Sequence, residues 1–256
     1  MPKYAKGYNQ PVDAIPGRGW AVILSGTTIN LCLGCLYAWS VWLKYLTDDV
    51  YMKAHGWAGA LTAEQASNPK SLCILIFALL MIPGGKIQDK LSPKVGATIG
   101  GLFVAGGCLV AGLLKSYTGL CIGFGVMRGI GMGIGYAAPT PASLKWFGPH
   151  KRGLIAGLVV SGYGGAAIYI SPLARYLIDS YGITGSFIAL GVFFALIVII
   201  AGQFLNTPPV GYVPVAPPST GGGAALAAAT KVDWEPSQIV KTWQFYSLVV
   251  LLMLCT

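Results

Sequence analysis

"GGKIQDKLSPK", residues 84–94, places Lys86, Asp89, Lys90 and Lys94 in one short turn between two long apolar runs. Only 10% of this 256-residue chain is charged, so a knot of charge around one carboxylate asks what kind of chain surrounds it. Hydrophobic residues make up 55%, the mean hydropathy is +0.67 and there are 36 glycines, as suits a chain whose solvent is largely lipid. Apolar stretches recur at about 20–45, 71–87, 95–114, 119–144, 153–178 and 184–205. Each reads as a helix crossing a hydrocarbon core of about 30 Å, with a rise of about 1.5 Å per residue. Six spans are expected, and the turn at 84–94 joins the second to the third. A further apolar run opens at Trp243 and reads as a seventh span cut short at Thr256.

The expected organisation is an amino-terminal segment over 1–18, a six-helix bundle over 19–205, a linker over 206–241 and the start of a seventh helix over 242–256. The linker is rich in Pro, Gly and Ala ("NTPPVGYVPVAPPSTGGG", 206–223) and is too long for a tight helix connection. Residues 1–18 lack the short apolar core and small-residue cleavage site of a signal peptide, so the first helix is expected to stay in the membrane. With the amino terminus in the cytoplasm, eleven cations fall inside (Lys3, Lys6, Arg18, Lys86, Lys90, Lys94, Lys145, Lys151, Arg152, Lys231, Lys241) and five outside (Lys44, Lys53, Lys70, Lys115, Arg175). This asymmetry favours that orientation in a multi-pass protein of the plasma membrane. The formal net charge of +9 is spread over helix ends, where anionic headgroups account for it, so no nucleic-acid partner is expected.

All six cysteines fall in apolar runs, and the Cys32–Cys35 pair has no second pair or nearby His to complete a metal site. They read as small buried hydrophobes. His55 and His150 lie in separate loops, and nothing pairs a nucleophile with a base or cradles a phosphate. An enzyme is not expected, and no catalytic residue, metal or cofactor is assigned.

Three features inside the spans point to function. Gly153, Gly157, Ser161 and Gly165 recur every four residues in the fifth span, and Gly123 to Gly135 alternate along the fourth, a pattern that lets helix backbones approach closely. "GCLYA" (34–38) and "GIGYA" (133–137) form a weak internal echo, as in a three-plus-three inverted repeat that turns Tyr37 and Tyr136 toward one cavity. Arg128 sits near the middle of the fourth span, where an arginine costs at least about 2.5 kcal/mol to insert. It reads as an anion site, or as a structural residue bonded to carbonyls of a neighbouring helix.

The opening stretch resembles the signature of the major facilitator superfamily, G-x-x-x-D-(R/K)-x-G-x-(R/K), with Gly85, Asp89, Lys90 and Lys94 in the matching positions and Ser92 where Gly is usual. Ser92 followed by Pro93 is itself a sound helix start. "GCLYAWSVW", "GIGYAAPTPASLKWFGPHKRGLIAG", "SGYGGA" and "TWQFYSL" resemble the oxalate/formate antiporter family, relatives of monocarboxylate porters. The resemblance implies an all-α integral membrane fold of twelve helices, of which this chain would supply the amino-terminal six-helix bundle, the linker and the start of helix seven. It implies an anion site walled by Tyr37, Trp39, Tyr136 and Tyr163, with Arg128. It also implies a conformational lock in which Asp89, with Gly85, Lys90 and Lys94, engages helix ends and the cations Lys151 and Arg152. Leu36 stands where the oxalate-specific pattern has Gln, which favours formate, lactate or pyruvate over oxalate.

The expected function is secondary active transport of small organic anions by alternating access, as antiporter or symporter. The expected partners are a small carboxylate, a proton or counter-anion, the lipid bilayer and the carboxy-terminal half of the same protein. A membrane-embedded structural or sensory subunit that moves nothing is the alternative.

Overall fold

The computed structural model describes residues 16–208, 212, 236–239 and 241–255, and each element in them is helical. The first rod, Gly17–Leu46, consists of α1 (Pro16–Leu33), a 3-10 segment (Gly34–Ala38) and α2 (Trp39–Leu46). A short α3 (Asp49–Ala54) follows, started by the Asp48 carboxylate accepting the Tyr51 N–H at 3.0 Å. Asp49 accepts from Lys53 Nζ at 2.6 Å and from the Ala60 N–H at 3.1 Å, and these bonds hold its carboxyl below the usual carboxylate range.

The second rod, α4 (Ala63–Lys90), opens on a capping box: Thr62 Oγ1 accepts the Gln65 N–H while Gln65 Oε1 accepts the Thr62 N–H. The helix therefore starts at Ala63, eight residues before the apolar run at 71–87. Ser92 caps the third rod, α5 (Pro93–Leu113), by accepting the Val95 N–H at 3.3 Å, with Pro93 at the first helical position. The fourth rod, Tyr117–Leu144, contains α6 (Tyr117–Leu120), a π-helical segment (Cys121–Met127), α7 (Arg128–Tyr136), a break at Ala137 and Ala138, and α8 (Pro139–Leu144).

α9 (Arg152–Phe204) has 53 residues, which as a straight helix would reach about 80 Å, far more than a bilayer core of about 30 Å. It is broken at Gly182, with φ 72° and ψ 175°. Thr27 Oγ1 donates to the Leu158 carbonyl and Ser25 Oγ to the Ala201 carbonyl, so residues 158 and 201 lie beside the same stretch of α1. Toward the other end of that rod, Tyr45 donates to Asp179 and the Trp42 indole to Ser186 Oγ. The two arms, 152–181 and 183–204, are thus antiparallel and supply the fifth and sixth spans. Gly182 is required at the reversal: its φ is left-handed, and a Cβ there would stand 2.7 Å from the His55 ring.

The chain divides into two units, Met1–Ala216 and Pro217–Thr256. In the second, the described elements are α10 (Pro236–Ile239) and α11 (Trp243–Cys255), the latter being the run expected to begin a seventh span. The expected amino-terminal segment (1–18) and linker (206–241) lie largely outside the described residues.

Inside the bundle, Trp39, Trp42, Phe124 and Phe187 form a buried aromatic cluster, with Trp42 and Phe187 stacked at 5.4 Å. The backbones meet at glycines. A Cβ at Gly100 would overlap the backbone of Gly135, and one at Gly123 the carbonyl of Gly107. The expected row on the fifth span behaves differently, because Gly153, Gly157 and Gly165 have no described neighbour within 4 Å of an added Cβ. Gly100→Ala should lower the midpoint of thermal unfolding of the detergent-solubilised chain by several degrees. Gly157→Ala should leave it unchanged or raise it, since Ala is favoured over Gly inside a helix by about 0.5–1 kcal/mol. A thermal melt of the two variants checks both outcomes.

Candidate functional site

Non-α backbone sits beside the candidate residues on two rods. The 3-10 segment carries Tyr37, and the helix break at Ala137 follows Tyr136 directly. Gly34, in the 3-10 segment, lets the first rod close onto the fifth, since a Cβ there would overlap the Tyr163 carbonyl. Three phenol rings meet as a result. Tyr37 stands edge-on to Tyr163 at 5.4 Å, and Tyr136 lies 4.8 Å from Tyr163. Phe77 of α4, which sequence reasoning did not single out, completes the wall at 5.7 Å from Tyr136 and 6.4 Å from Tyr163. Tyr37 is 54% exposed and Tyr163 only 8%, so the group runs from an open surface into the bundle. None of the three hydroxyls has a hydrogen-bond partner among the described residues.

Trp39 is placed elsewhere. It is buried, its ring lies 4.1 Å from Phe124, and its indole N–H donates to the Ala66 carbonyl at 3.0 Å. Two residues beyond Tyr37 on a helical path, its side chain leaves on a different face, into the aromatic cluster.

Arg128 is fully buried at the junction between the π-helical segment and α7. One guanidinium N–H donates to Cys108 Sγ at 3.3 Å and another to the Leu33 carbonyl at 3.4 Å. The charge also lies 4.8 Å from the Phe124 ring and 6.0 Å from Phe194, a cation–π arrangement. Its Nε has no partner among the described residues. Among them no carboxylate pairs with it either, so a thiol, a carbonyl and two aromatic faces stabilise the charge.

Asp89 is at one end of the bundle, exposed, with Gln88 Nε2 donating to it at 3.3 Å. It borders a cavity of about 550 Å³ shared with Gln88, Lys145, Arg152, Thr207 and Tyr212. Asp89 and Arg152 face the same cavity without an ion pair; the ion pair found among the described residues, Asp49–Lys53, is at the opposite end. Gly85 has open space around it, whereas a Cβ at the neighbouring Gly84 would overlap the Gly133 carbonyl. Lys90 and Lys151 are exposed and Lys94 half-buried, all at this same end.

The profile of the Major Facilitator Superfamily matches residues 37–256. The chain belongs to this superfamily. This match points to a transporter and not to an enzyme. It is 28% identical over 208 residues to apicoplast pyruvate carrier 1 of Toxoplasma gondii, covering 66% of this chain and 37% of that protein. It is 24% identical over 209 residues to monocarboxylate transporter 11 of Mus musculus (80% of this chain, 43% of that protein). To monocarboxylate transporter 9 of Gallus gallus it is 29% identical over 192 residues (72% and 34%). The chain therefore spans less than half the length of these relatives. In this member of the superfamily the guanidinium environment is tightly specified. Arg128→Lys replaces a planar fork by a point charge that cannot reach both Cys108 and Leu33, so it should destabilise the bundle by about 1–3 kcal/mol, measurable as a fall in thermal midpoint.

Proposed function

We propose that this chain supplies one half of a secondary carrier for small monocarboxylates, working by alternating access. The observation that carries the reading is the meeting of Tyr37, Tyr136 and Tyr163 beside breaks in helix regularity, with three hydroxyls that no described residue engages. Buried or half-buried phenols want partners, and a carboxylate can accept from several at once. Irregular helix in a membrane protein is tolerated where it lines a cavity or is packed in protein, and carriers place substrates beside such segments. The relatives' names, a pyruvate carrier and monocarboxylate transporters, support pyruvate, lactate or formate ahead of oxalate.

In this reading Tyr37, Tyr136 and Tyr163 contact the substrate, Trp39 stays in the separate aromatic cluster with Phe124, and Arg128 contributes positive potential from behind the wall. Asp89, with Gly85, Lys90 and Lys94, closes one access state by engaging Lys151, Arg152 and helix ends. The gap at the cavity bordered by Asp89 and Arg152 would belong to the opposite state. The carboxy-terminal half supplies the facing bundle, with a proton or counter-anion as coupling partner, in the plasma membrane with the amino terminus in the cytoplasm.

Two measurements test the proposal. In the complete carrier in proteoliposomes, Tyr136→Phe should raise the half-saturation concentration for labelled lactate or pyruvate counterflow by about tenfold to a hundredfold, the loss of one hydrogen bond to a charged acceptor of roughly 1.5–3 kcal/mol. Arg128→Gln should slow transport further. Unchanged counterflow in the Phe variants of all three tyrosines would remove the site. For orientation, a cysteine introduced at Ala60 should react with an impermeant maleimide in intact cells and one at Ser92 should not; the reverse pattern overturns the topology.

A further inference from the structure

At the end of the bundle opposite Asp89, a cavity of about 440 Å³ is bounded by His55, Lys115, Tyr181, Gly182, Thr184 and Ile188. Among the described residues no carboxylate lines it. Three polar groups converge there from three different loops or helix starts. Lys115 adopts a left-handed backbone, φ 42°, unusual for a residue with a side chain, and its Nζ donates to the His55 carbonyl at 3.4 Å. That bond uses one ammonium N–H and leaves two. The His55 ring is fixed by stacking on Tyr51 at 4.0 Å and by Nδ1 lying 2.8 Å from the Tyr51 carbonyl oxygen. Only a protonated nitrogen sits well against a carbonyl, so in the neutral ring the proton is on Nδ1 and Nε2 is left as an acceptor. Nε2 points to the Gly182 turn, 3.3 Å from where a Cβ would be. Thr184 Oγ1, two residues on, is buried and has no partner among the described residues.

We infer that Lys115, His55 and Thr184 form a binding site for a small carboxylate that carries its own hydroxyl donor, a 2-hydroxycarboxylate being the simplest case. The charge match comes from the Lys115 ammonium, whose two remaining N–H groups favour an anionic acceptor. The hydroxyl requirement comes from His55 Nε2, which cannot bond to a bare carboxylate but accepts an O–H. Thr184 Oγ1 can donate to the carboxylate or accept from the hydroxyl. Glycine at position 182 lets the turn close directly onto the imidazole, since a Cβ there would come within 2.7 Å of the ring. This site is at the far end of the bundle from Asp89, uses none of the tyrosines, and stands or falls apart from the carrier reading.

The test uses the 256-residue chain in lipid nanodiscs with carbon-13 at histidine Cε1, which yields resonances from His55 and His150 only, the latter at the other end as an internal reference. L-Lactate should shift the His55 signal saturably and leave His150 unmoved. Propionate, which lacks the hydroxyl, should bind at least about threefold more weakly, as expected when a site's acceptor is left unpaired. Lys115→Gly suits the left-handed backbone yet removes the ammonium, so it should abolish the shift without loss of folding, whereas Lys115→Arg should retain it. The absence of a saturable His55 shift with lactate, equal affinity for propionate, or a normal response in Lys115→Gly would each overturn the site. Tighter binding of inorganic phosphate than of lactate would overturn its assignment to a carboxylate.

Discussion

The contact on which the rest of the bundle depends is the backbone-to-backbone approach of the fourth rod and α5. Gly123 closes on the Gly107 carbonyl and Gly131 on the Gly100 carbonyl, two turns apart on matching faces. In lipid, apolar side chains gain nothing by leaving one hydrocarbon for another, so helices associate through dispersion contacts that small residues bring within range. The fourth rod has a second such face. Gly129 and Gly133 meet α4 at Cys73, Ile76 and Leu80, so this rod is a thin central piece clamped from both sides. Clamping fixes its rotation, and the rotation fixes where Arg128 and Tyr136 point.

Departures from α-helical geometry then decide which side chains reach the cavity. The π-helical segment Cys121–Met127 inserts extra backbone just before Arg128, and the 3-10 segment Gly34–Ala38 tightens the first rod around Tyr37. Both lie in the packed part of the bundle, where neighbouring helices can absorb the altered hydrogen bonding. Side chains on the first and fifth rods also stitch the helices together through backbone carbonyls. Asn30 donates to Val159, Thr27 to Leu158 and Tyr169 to Leu31. These bonds hold the Tyr37–Tyr163 pair in register without filling the space beside it.

How much of this could be read in the sequence follows from the physics of each feature. Long apolar runs and the Ser92–Pro93 start are local signals, and they placed the spans and the cap of α5. The early start of α4 is also a local signal, in the Thr62 to Gln65 capping box, but its polar first turns carry no hydropathy that marks a span. The convergence of Tyr37 and Tyr136 was foreshadowed by the repeated Gly and Tyr-Ala pattern, because equivalent helices of a repeat present equivalent residues to one axis, whereas Tyr163 was indicated only by the family resemblance. Phe77 was not legible, since nothing distinguishes one aromatic on α4 from the other apolar residues around it. The glycine row at 153, 157 and 165 shows the limit of periodicity: spacing reveals a smooth face and leaves unspecified whether a helix covers it. Nor could the sequence say that Trp39 would turn into the aromatic cluster, because a 3-10 segment just before it alters the angle that a regular helix would give.

Arg128 sharpens the question of how a cavity with neutral walls can favour an anion. Its guanidinium bonds to a thiol and a carbonyl, both weaker acceptors than a carboxylate, and it has no counter-charge among the described residues. A buried unit charge surrounded by low-dielectric material projects its field much farther than one screened by water. Phe124 and Phe194 stabilise the cation by their ring faces without cancelling its charge. The tyrosine wall therefore lies within the field of Arg128, which acts on Tyr163, although among the described residues no cation contacts the three rings. In the proposed carrier this arrangement separates two tasks: the phenols supply the directional bonds that position a carboxylate, and Arg128 biases the site toward anions over neutral acids without gripping them. A contact ion pair at the midplane would hold the substrate tightly in both access states, which slows release, whereas a field from behind the wall favours entry and leaves only a few hydrogen bonds from neutral donors to be broken.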